Sequence, residues 1–448
     1  MPTSVSSLLS ATNSSTGLGQ GIDVTQFVQL ALAGDQANIT ALQNRQAALN
    51  SQSSALATIN SDLNNLQSAA FALNDPLGAL SAQSATSSNS GVLTAAAAST
   101  ATPGTHSVTV NSLATTSSYY SDPVPGNSTL AAGTFNVSVG GAAPVTFTID
   151  STDNTLAGLA ASINDQNAGV LASVISDANG SRLALVSQTT GAPGDLTVSA
   201  NTTGLNFNKA VNGLSASLTV DGVPISSATN TVSGVINGVT LNLTAASPGN
   251  PVALTVAPDK TQTTNALNQF VSAYNTAIND INKQFAVAAD GSGGGALEAD
   301  GSLRETQQKL LSAISYSVTG NNGAVNLSSI GLGLNNDGTL SVDSGKLGTA
   351  LAGNFSGVQN FLQSTTNGFA SNLSSALSGL TSSGTGVLAL DSLGISQSSR
   401  ALSQQISDLQ VALSTKQQNL VRVYAQVNVT LQQLPLLQSQ ISRQLGSF

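Results

Sequence analysis

The feature that most constrains this chain is a heptad repeat of apolar residues close to its C-terminus. Leu402, Ile406, Leu409, Leu413, Leu420, Val423, Val427, Leu434, Leu437 and Ile441 recur at steps of three, four or seven, with Lys416 and Thr430 at the two interrupted positions. A 3.5-residue repeat held this long marks a narrow seam on a long helix that packs along another helix. Burying a Leu, Ile or Val side chain stabilises by about 1.5–3 kcal/mol, so ten left in water forfeit about 15–30 kcal/mol. That exceeds the roughly 5–15 kcal/mol stability of a typical domain. The seam requires a partner.

A second seam lies in residues 36–73, where Leu42, Leu49, Leu56 and Leu63 recur at intervals of seven, with Ile59, Leu66 and Leu73 on the same face. Arg45 and Gln52 stand at its early companion positions and weaken its start. Asn74-Asp75-Pro76 ends it, because proline lacks the amide and biases its predecessor out of the α region. Upstream, Gly21-Ile22-Asp23 opens a helix with Asp23 as N-cap and Phe27, Leu30 and Ala31 on its face, and Gly34-Asp35 predicts a break before the seam. Residues 1–80 carry Asp23, Asp35, Asp62 and Asp75 against Arg45, a balance of −3. Residues 396–448 carry Arg400, Lys416, Arg422 and Arg443 against Asp408, a balance of +3. Opposite signs favour pairing of the two terminal helices, although each exposed pair contributes under about 1 kcal/mol and the same charges suit a solvated face. Coiled-coil packing is therefore expected from Leu42, Leu49, Leu56, Ile59, Leu63 and Leu66 against Leu402, Ile406, Leu409, Leu413, Leu420, Val423 and Val427. The surplus beyond Val427, namely Leu434, Leu437, Ile441, Leu445 and Phe448, is expected to contact another protein. Pro435 within it predicts a kink.

Between residues 84 and 258 the apolar period changes to two. Ser107–Val110, Thr134–Val139 and Val145–Ile149 alternate Thr, Ser or Asn with β-branched or aromatic residues, and Leu196–Val198, Ser217–Val220, Val239–Leu243 and Leu254–Val256 continue the pattern. Asn179-Gly180, Asp221-Gly222 and Asn237-Gly238 predict hairpin turns. One helix interrupts the strands at Leu156–Gln166. Helical character returns at Thr261, with Leu267, Phe270, Val271, Tyr274, Ile278 and Ile281 on one face. Gly291–Gly295 reads as a linker, a further helix as Leu303–Val318 and a short strand around Gly338–Asp343. The fold class is α+β: long terminal helices form a coiled-coil stem and helical domain, with an inserted β-rich region of one or two small domains. The expected boundaries are an arm at 1–22, a helical segment at 23–80, the β insertion at 84–258, a helical core at 261–395 and the C-terminal coiled-coil helix at 396–448.

Composition narrows the function. Only 7% of the 448 residues are charged, 21 acids face 12 bases, and residues 46–181 hold no Lys or Arg. Without a basic patch to neutralise phosphates, nucleic acid is a poor partner. No run of about 18 apolar residues predicts a membrane span, and Met1-Pro2-Thr3-Ser4 does not open a secretory signal peptide. Cysteine is absent and His106 is the only histidine, so no thiolate site exists and no dense carboxylate cluster surrounds the imidazole. Gly291, Gly293 and Ala296 match a loose G-x-G-x-x-A pattern but follow a helix rather than a strand. Asn335-Asn336-Asp337-Gly338 lacks the later glutamate of a calcium loop and reads as a turn. No catalytic residue, cofactor or metal site is expected, and the chain does not read as an enzyme.

Four stretches together resemble a known family. These are Gly21-Ile22-Asp23-Val24 leading into the Leu/Gln/Ser/Ala helix to Leu73; residues 155–191, with the Ile163-Asn164 pair, a hairpin and closure on Ser187 and Gly191; residues 234–283, a last strand pair running into a core helix; and residues 328–351, containing DGTLSVD. In order and spacing they are similar to the bacterial flagellar filament-capping proteins, the FliD or hook-associated family. Pro435 and the scarcity of Lys and Arg depart from the family pattern. The resemblance implies a structural cap at the distal tip of the flagellar filament that promotes ordered insertion and polymerisation of exported flagellin. It implies a ring-shaped homo-oligomer, with a pentamer expected. The implied partners are flagellin, hook–filament junction proteins and a cytoplasmic export chaperone. The implied location is extracellular, at the flagellum tip, after passage through the flagellar secretion channel without a cleaved signal peptide. The alternatives are a hook–filament junction protein, flagellin itself, or an adhesin-type surface protein whose Thr/Ser/Asn-rich strands bind glycans.

Overall fold

The computed structural model describes residues 24–125, 128–286, 293–319, 321 and 323–446. The arm at 1–22, the Asp23 cap, Gly291 and Phe448 lie outside the described residues. Eight helices occur among the described residues: α1 (Val24–Asn74), α2 (Leu156–Asp165), α3 (Lys260–Phe285), α4 (Gly301–Ile314), α5 (Ser344–Gly353), α6 (Phe355–Gln363), α7 (Phe369–Thr381) and α8 (Val387–Leu445). The chain divides into two compact units. One holds the chain up to Phe71, Gln269–Leu347 and everything from Asn360; the other holds Ala72–Asn268 and Gly348–Gln359.

The second unit contains two β cores. Its strands are β1 (Gln83–Ser87), β2 (Leu93–Ala97), β3 (Gly104–Ser112), β4 (Thr116–Ser121), β5 (Gly133–Val139), β6 (Val145–Ile149), β7 (Val170–Asp177), β8 (Gly180–Thr190), β9 (Leu196–Ser199), β10 (Phe207–Val211), β11 (Ala216–Val220), β12 (Val223–Ser227), β13 (Thr231–Ile236), β14 (Val239–Leu243) and β15 (Val252–Pro258). A five-stranded sheet in the order β1-β15-β3-β11-β12 and a three-stranded sheet β13-β14-β2 enclose one core. Val108, Val110, Leu218, Leu241 and Leu254 bury the inward alternate positions that the period of two predicts. Sheets β10-β4-β8-β7 and β6-β5-β9 enclose the other core together with α2. The three Gly hairpins form as expected, and at β11–β12 both Asp221 (φ 50°) and Gly222 (φ 85°) take the left-handed conformation that matches strand twist.

Several strands have no alternation to announce them. β1 (QSATS), β2 (LTAAA) and β4 (TSSYYS) lack an alternating β-branched pattern, yet each is recruited by a neighbour: β1 by β15, β2 by β14, β4 by β8. Backbone pairing, which is blind to side chains, supplies what the sequence pattern lacks.

In the first unit, α3 buries Phe270, Tyr274, Ile278 and Ile281. The Phe270 ring meets Phe369 edge-on at 5.6 Å, and Phe361 lies 5.7 Å from Phe369. Strands β16 (Leu332–Leu334) and β17 (Leu340–Val342) pair as a hairpin. Asn275 holds β17 by donating to Leu340 O at 2.8 Å and accepting from Leu340 N at 2.7 Å, while the Tyr274 hydroxyl donates to Gly338 O at 2.9 Å. Burial pushes the Tyr274 phenol well above its usual pKa. The DGTLSVD motif is thus a turn and strand pinned to the central helix.

Two expectations about helix limits change. Gly34-Asp35 does not break α1, which runs unbroken for 51 residues. A glycine inside a helix costs about 1 kcal/mol, and the buried Leu32 and Ile39 flanking it outweigh that cost. The C-terminal helix begins at Val387 rather than 396, anchored by buried Leu388. Asn74 ends α1 as expected, and the Asp75 carboxylate accepts from Leu77 N at 2.9 Å in the turn that follows.

Asp391 on α8 faces Asp300, whose side chain caps α4 by accepting from Leu303 N at 3.0 Å. Oδ2 of Asp391 is buried and has no donor while both groups are ionised. Burial, and then the Asp300 carboxyl, pushes Asp391 up to about 6. A raised acid favours the fold while protonated: that stabilisation is full below about pH 4 and disappears as pH rises through about 6. Two units correspond to about 2.7 kcal/mol, and solvent screening at this half-buried site reduces the effect to on the order of 1 kcal/mol. Asp391→Asn should therefore raise the Tm of this unit by about 2–4 °C at pH 7.5 and leave it nearly unchanged at pH 4, measured by calorimetry at both pH values.

Candidate interaction surface

The terminal helices meet in antiparallel register. Near one end the Phe27 ring lies 6.0 Å from Tyr424, and Lys416 Nζ donates to Asp35 Oδ2 at 2.6 Å. Further along, Gln46 Nε2 donates to Ser403 Oγ, and Ser399 Oγ donates to Asn50 Oδ1 at 3.3 Å. Ile39, Leu402 and Ile406 form the buried centre of the seam, with Leu42, Leu49, Leu409 and Leu413 half-buried against it. Leu56, Ile59, Leu63 and Leu66 are buried further along α1. Ile39 is hidden in the sequence by the expected break at Gly34-Asp35. It lies three residues before Leu42, and Val28 and Leu32 continue its face upstream. At the polar companion position Gln46 faces the seam and Arg45 faces solvent.

Beyond Leu413 the seam rotates. Leu420 is half-buried, but Val423 and Val427 are 55% and 41% exposed. Tyr424 meets Phe27 in their place, and Leu431 is half-buried on the same side. A straight helix drifts about 20° per heptad from a strict 3.5-residue repeat, so three heptads carry the contact face to neighbouring positions. Leu434, Leu437, Ile441 and Leu445 are exposed, as are Val429 and Leu436, although α8 continues without interruption through Pro435. Leu402→Ala should cost about 2–4 kcal/mol in urea unfolding and Val423→Ala less than about 0.5 kcal/mol, because only the first empties a packed site.

The sole histidine lies in the second unit. His106 Nδ1 donates to Asp221 Oδ2 at 2.7 Å, and Ser107 N donates to Asp221 Oδ1 at 2.8 Å. The imidazole hydrogen bond holds the Asp221 carboxyl below the usual carboxylate range. No group of three His, Cys, Asp or Glu able to hold a metal occurs among the described residues, and none of their helices is long and apolar enough to cross a membrane.

The β5–β8 stretch is organised by Ile163-Asn164 on α2. Ile163 is fully buried in the core, and Asn164 clamps β7 by accepting from Ala172 N at 2.8 Å and donating to Ala172 O at 2.9 Å. Gly191 closes the stretch at φ 82°, where a Cβ would lie 2.5 Å from Ala228 O, so only glycine fits.

These elements coincide with known sequence families. Residues 20–117 match the N-terminus of flagellar hook-associated protein 2, residues 213–435 its C-terminus, and residues 134–189 the flagellin hook IN motif. The chain is 31% identical over 471 residues to the B-type flagellar hook-associated protein 2 of Pseudomonas aeruginosa, covering 96% of this chain and 98% of that relative. The chain belongs to the flagellar hook-associated protein 2 family, the filament-capping proteins. The Escherichia coli K12 family member is 28% identical over 376 residues, covering 78% of this chain and 80% of that one. The D1-D2-D3 crystal structure of the flagellar cap protein FliD from E. coli superposes with a TM-score of 0.58 at 28% identity, covering 76% of this chain and 99% of the other. Within the family's IN motif the Asn164 clamp is a local lock. Asn164→Ala strands the Ala172 amide and carbonyl and should cost about 1–3 kcal/mol, read as an earlier urea midpoint for the β unit.

Proposed function

We infer that this chain is the structural cap at the distal tip of the bacterial flagellar filament, where it promotes ordered insertion and polymerisation of exported flagellin. The observation that carries this reading is the match of three consecutive family segments, in order, over residues 20–435. The work is structural rather than catalytic. A ring of copies, five in number, presents the terminal helices toward the filament, and the chain reaches the cell exterior through the flagellar secretion channel.

The α1–α8 seam provides the stem, and the apolar stripe through Leu434, Leu437, Ile441 and Leu445 provides the contact. Exposed on a helix end, that stripe suits a helical partner: flagellin, a hook–filament junction protein, or, before export, a cytoplasmic chaperone. Phe448 extends the same sequence pattern. Removing residues 415–448 should abolish filament assembly in motile cells while circular dichroism and cooperative unfolding of the β unit are retained. Normal filaments on such cells would refute the reading.

A further inference from the structure

The outer face of the antiparallel sheet β10-β4-β8-β7 sets exposed apolar side chains among its polar ones, where a solvated face is usually polar. The register places Leu171 opposite Val186, and Val186 opposite Ser118; it places Ser173, Ala184 and Tyr120 in the next row, and Ile175 opposite Arg182. The inward alternates Ala172, Leu183 and Leu185 fill the core, so Leu171, Ile175 and Tyr120 point away from it, exposed at 52%, 58% and 40%. Arg182 lies over the Tyr120 ring, 5.7 Å from its centroid. It is the only Arg, and with Lys209 one of only two Lys or Arg residues, between positions 46 and 259.

The other β core of the same unit has an opening of matching character. On β3, Val110 and Val108 are buried, and His106 continues that inward row to the edge of the core. A cavity of about 430 Å³ lies there, walled by Val220, Val223, Ile225 and Ile236 and bordered by His106 and Asp221. That volume falls in the range of about 300–1,000 Å³ usual for binding pockets. Asp221 accepts the Nδ1 proton of His106, so in the neutral imidazole Nε2 is an acceptor. Nε2 lies beside Gly104, whose missing side chain leaves room next to it. The pocket therefore offers apolar walls, the His106 Nε2 acceptor beside the polar Thr102, Thr105 and Asn237, and a half-exposed carboxylate at its rim.

We propose that this pocket receives Tyr120 of a second copy of the chain, with the phenol hydroxyl donating to His106 Nε2 and Arg182 of the entering copy pairing with Asp221. Patch and pocket belong to different β cores, so the contact is head-to-tail, and head-to-tail contacts generate rings when the rotation closes. Charge favours this occupant: the patch carries the Arg182 guanidinium, stacked on Tyr120 and 4.0 Å from Asp177, and the pocket rim carries the Asp221 carboxylate. Tyr and Arg are residue types that dominate interface energetics. The inference rests on the ring reading above and adds the surfaces that close it.

Sedimentation velocity of the full chain over a concentration series tests it. Tyr120→Ala should raise the concentration needed for assembly about tenfold or more, with an unchanged circular dichroism spectrum. Arg182→Asp and Asp221→Arg should each weaken assembly, and the two combined in one chain should restore it. Wild-type chain that remains monomeric would overturn the ring and this contact together. Wild-type rings with an unshifted Tyr120→Ala midpoint, or a charge-swapped chain no better than its parents, would overturn the contact alone. A Tyr120→Ala chain that assembles normally but binds flagellin less would assign the patch to flagellin instead.

Discussion

The antiparallel seam between α1 and α8 is the constraint on which the rest of the chain depends. A helix of 59 residues carrying an apolar stripe on its own is unstable in water, and α1 answers it from the opposite end of the sequence. The chain's two ends are thereby joined, and everything between about residues 72 and 268 becomes an insertion that must form its own cores. It does so twice, around Val108 and Leu254 in one β core and around Phe135 and Leu185 in the other. The seam is modest in its polar contacts: Lys416–Asp35 is half-exposed and contributes under about 1 kcal/mol. Its strength lies in Ile39, Leu402 and Ile406.

The scarcity of charge has a structural counterpart. Three half-buried amides pin the backbone: Asn164 clamps β7, Asn275 clamps β17, and Asn230 accepts from Ala114 N at 2.7 Å while donating to Ala114 O at 3.0 Å. An amide side chain satisfies a backbone donor and acceptor together without the desolvation cost of an ion. Where carboxyls do approach one another, as at Asp391 and Asp300, the arrangement favours a proton between them.

A cap at a growing tip has to hold some surfaces permanently and leave others open. In this chain the permanent surfaces are the two β cores and the bundle around Tyr274 and Phe369. The open ones are the end of α8 past Val427 and the outer face of β4, β7 and β8. Both expose apolar side chains where solvated elements of ordinary domains turn polar ones outward. The cost in solubility makes sense if another chain covers them.

Much of this was readable along the chain. The heptads located both long helices, the Asn-Gly and Asp-Gly pairs located the hairpins, and the Ile163-Asn164 and DGTLSVD motifs pointed to the family. Those signals are local, set by side-chain period and backbone preference over a few residues. The tertiary structure decided the remainder. It recruited β1, β2 and β4, which have no strand pattern of their own, because ladder pairing needs only a neighbour's backbone. It carried α1 through Gly34, because packing on both sides outweighs one glycine. Above all it decided how far the C-terminal seam is satisfied. The repeat by itself treats Leu402 and Val423 as equals, but helical drift over three heptads and the antiparallel register bury the first, turn the second to solvent, and leave the end of α8 open to another chain.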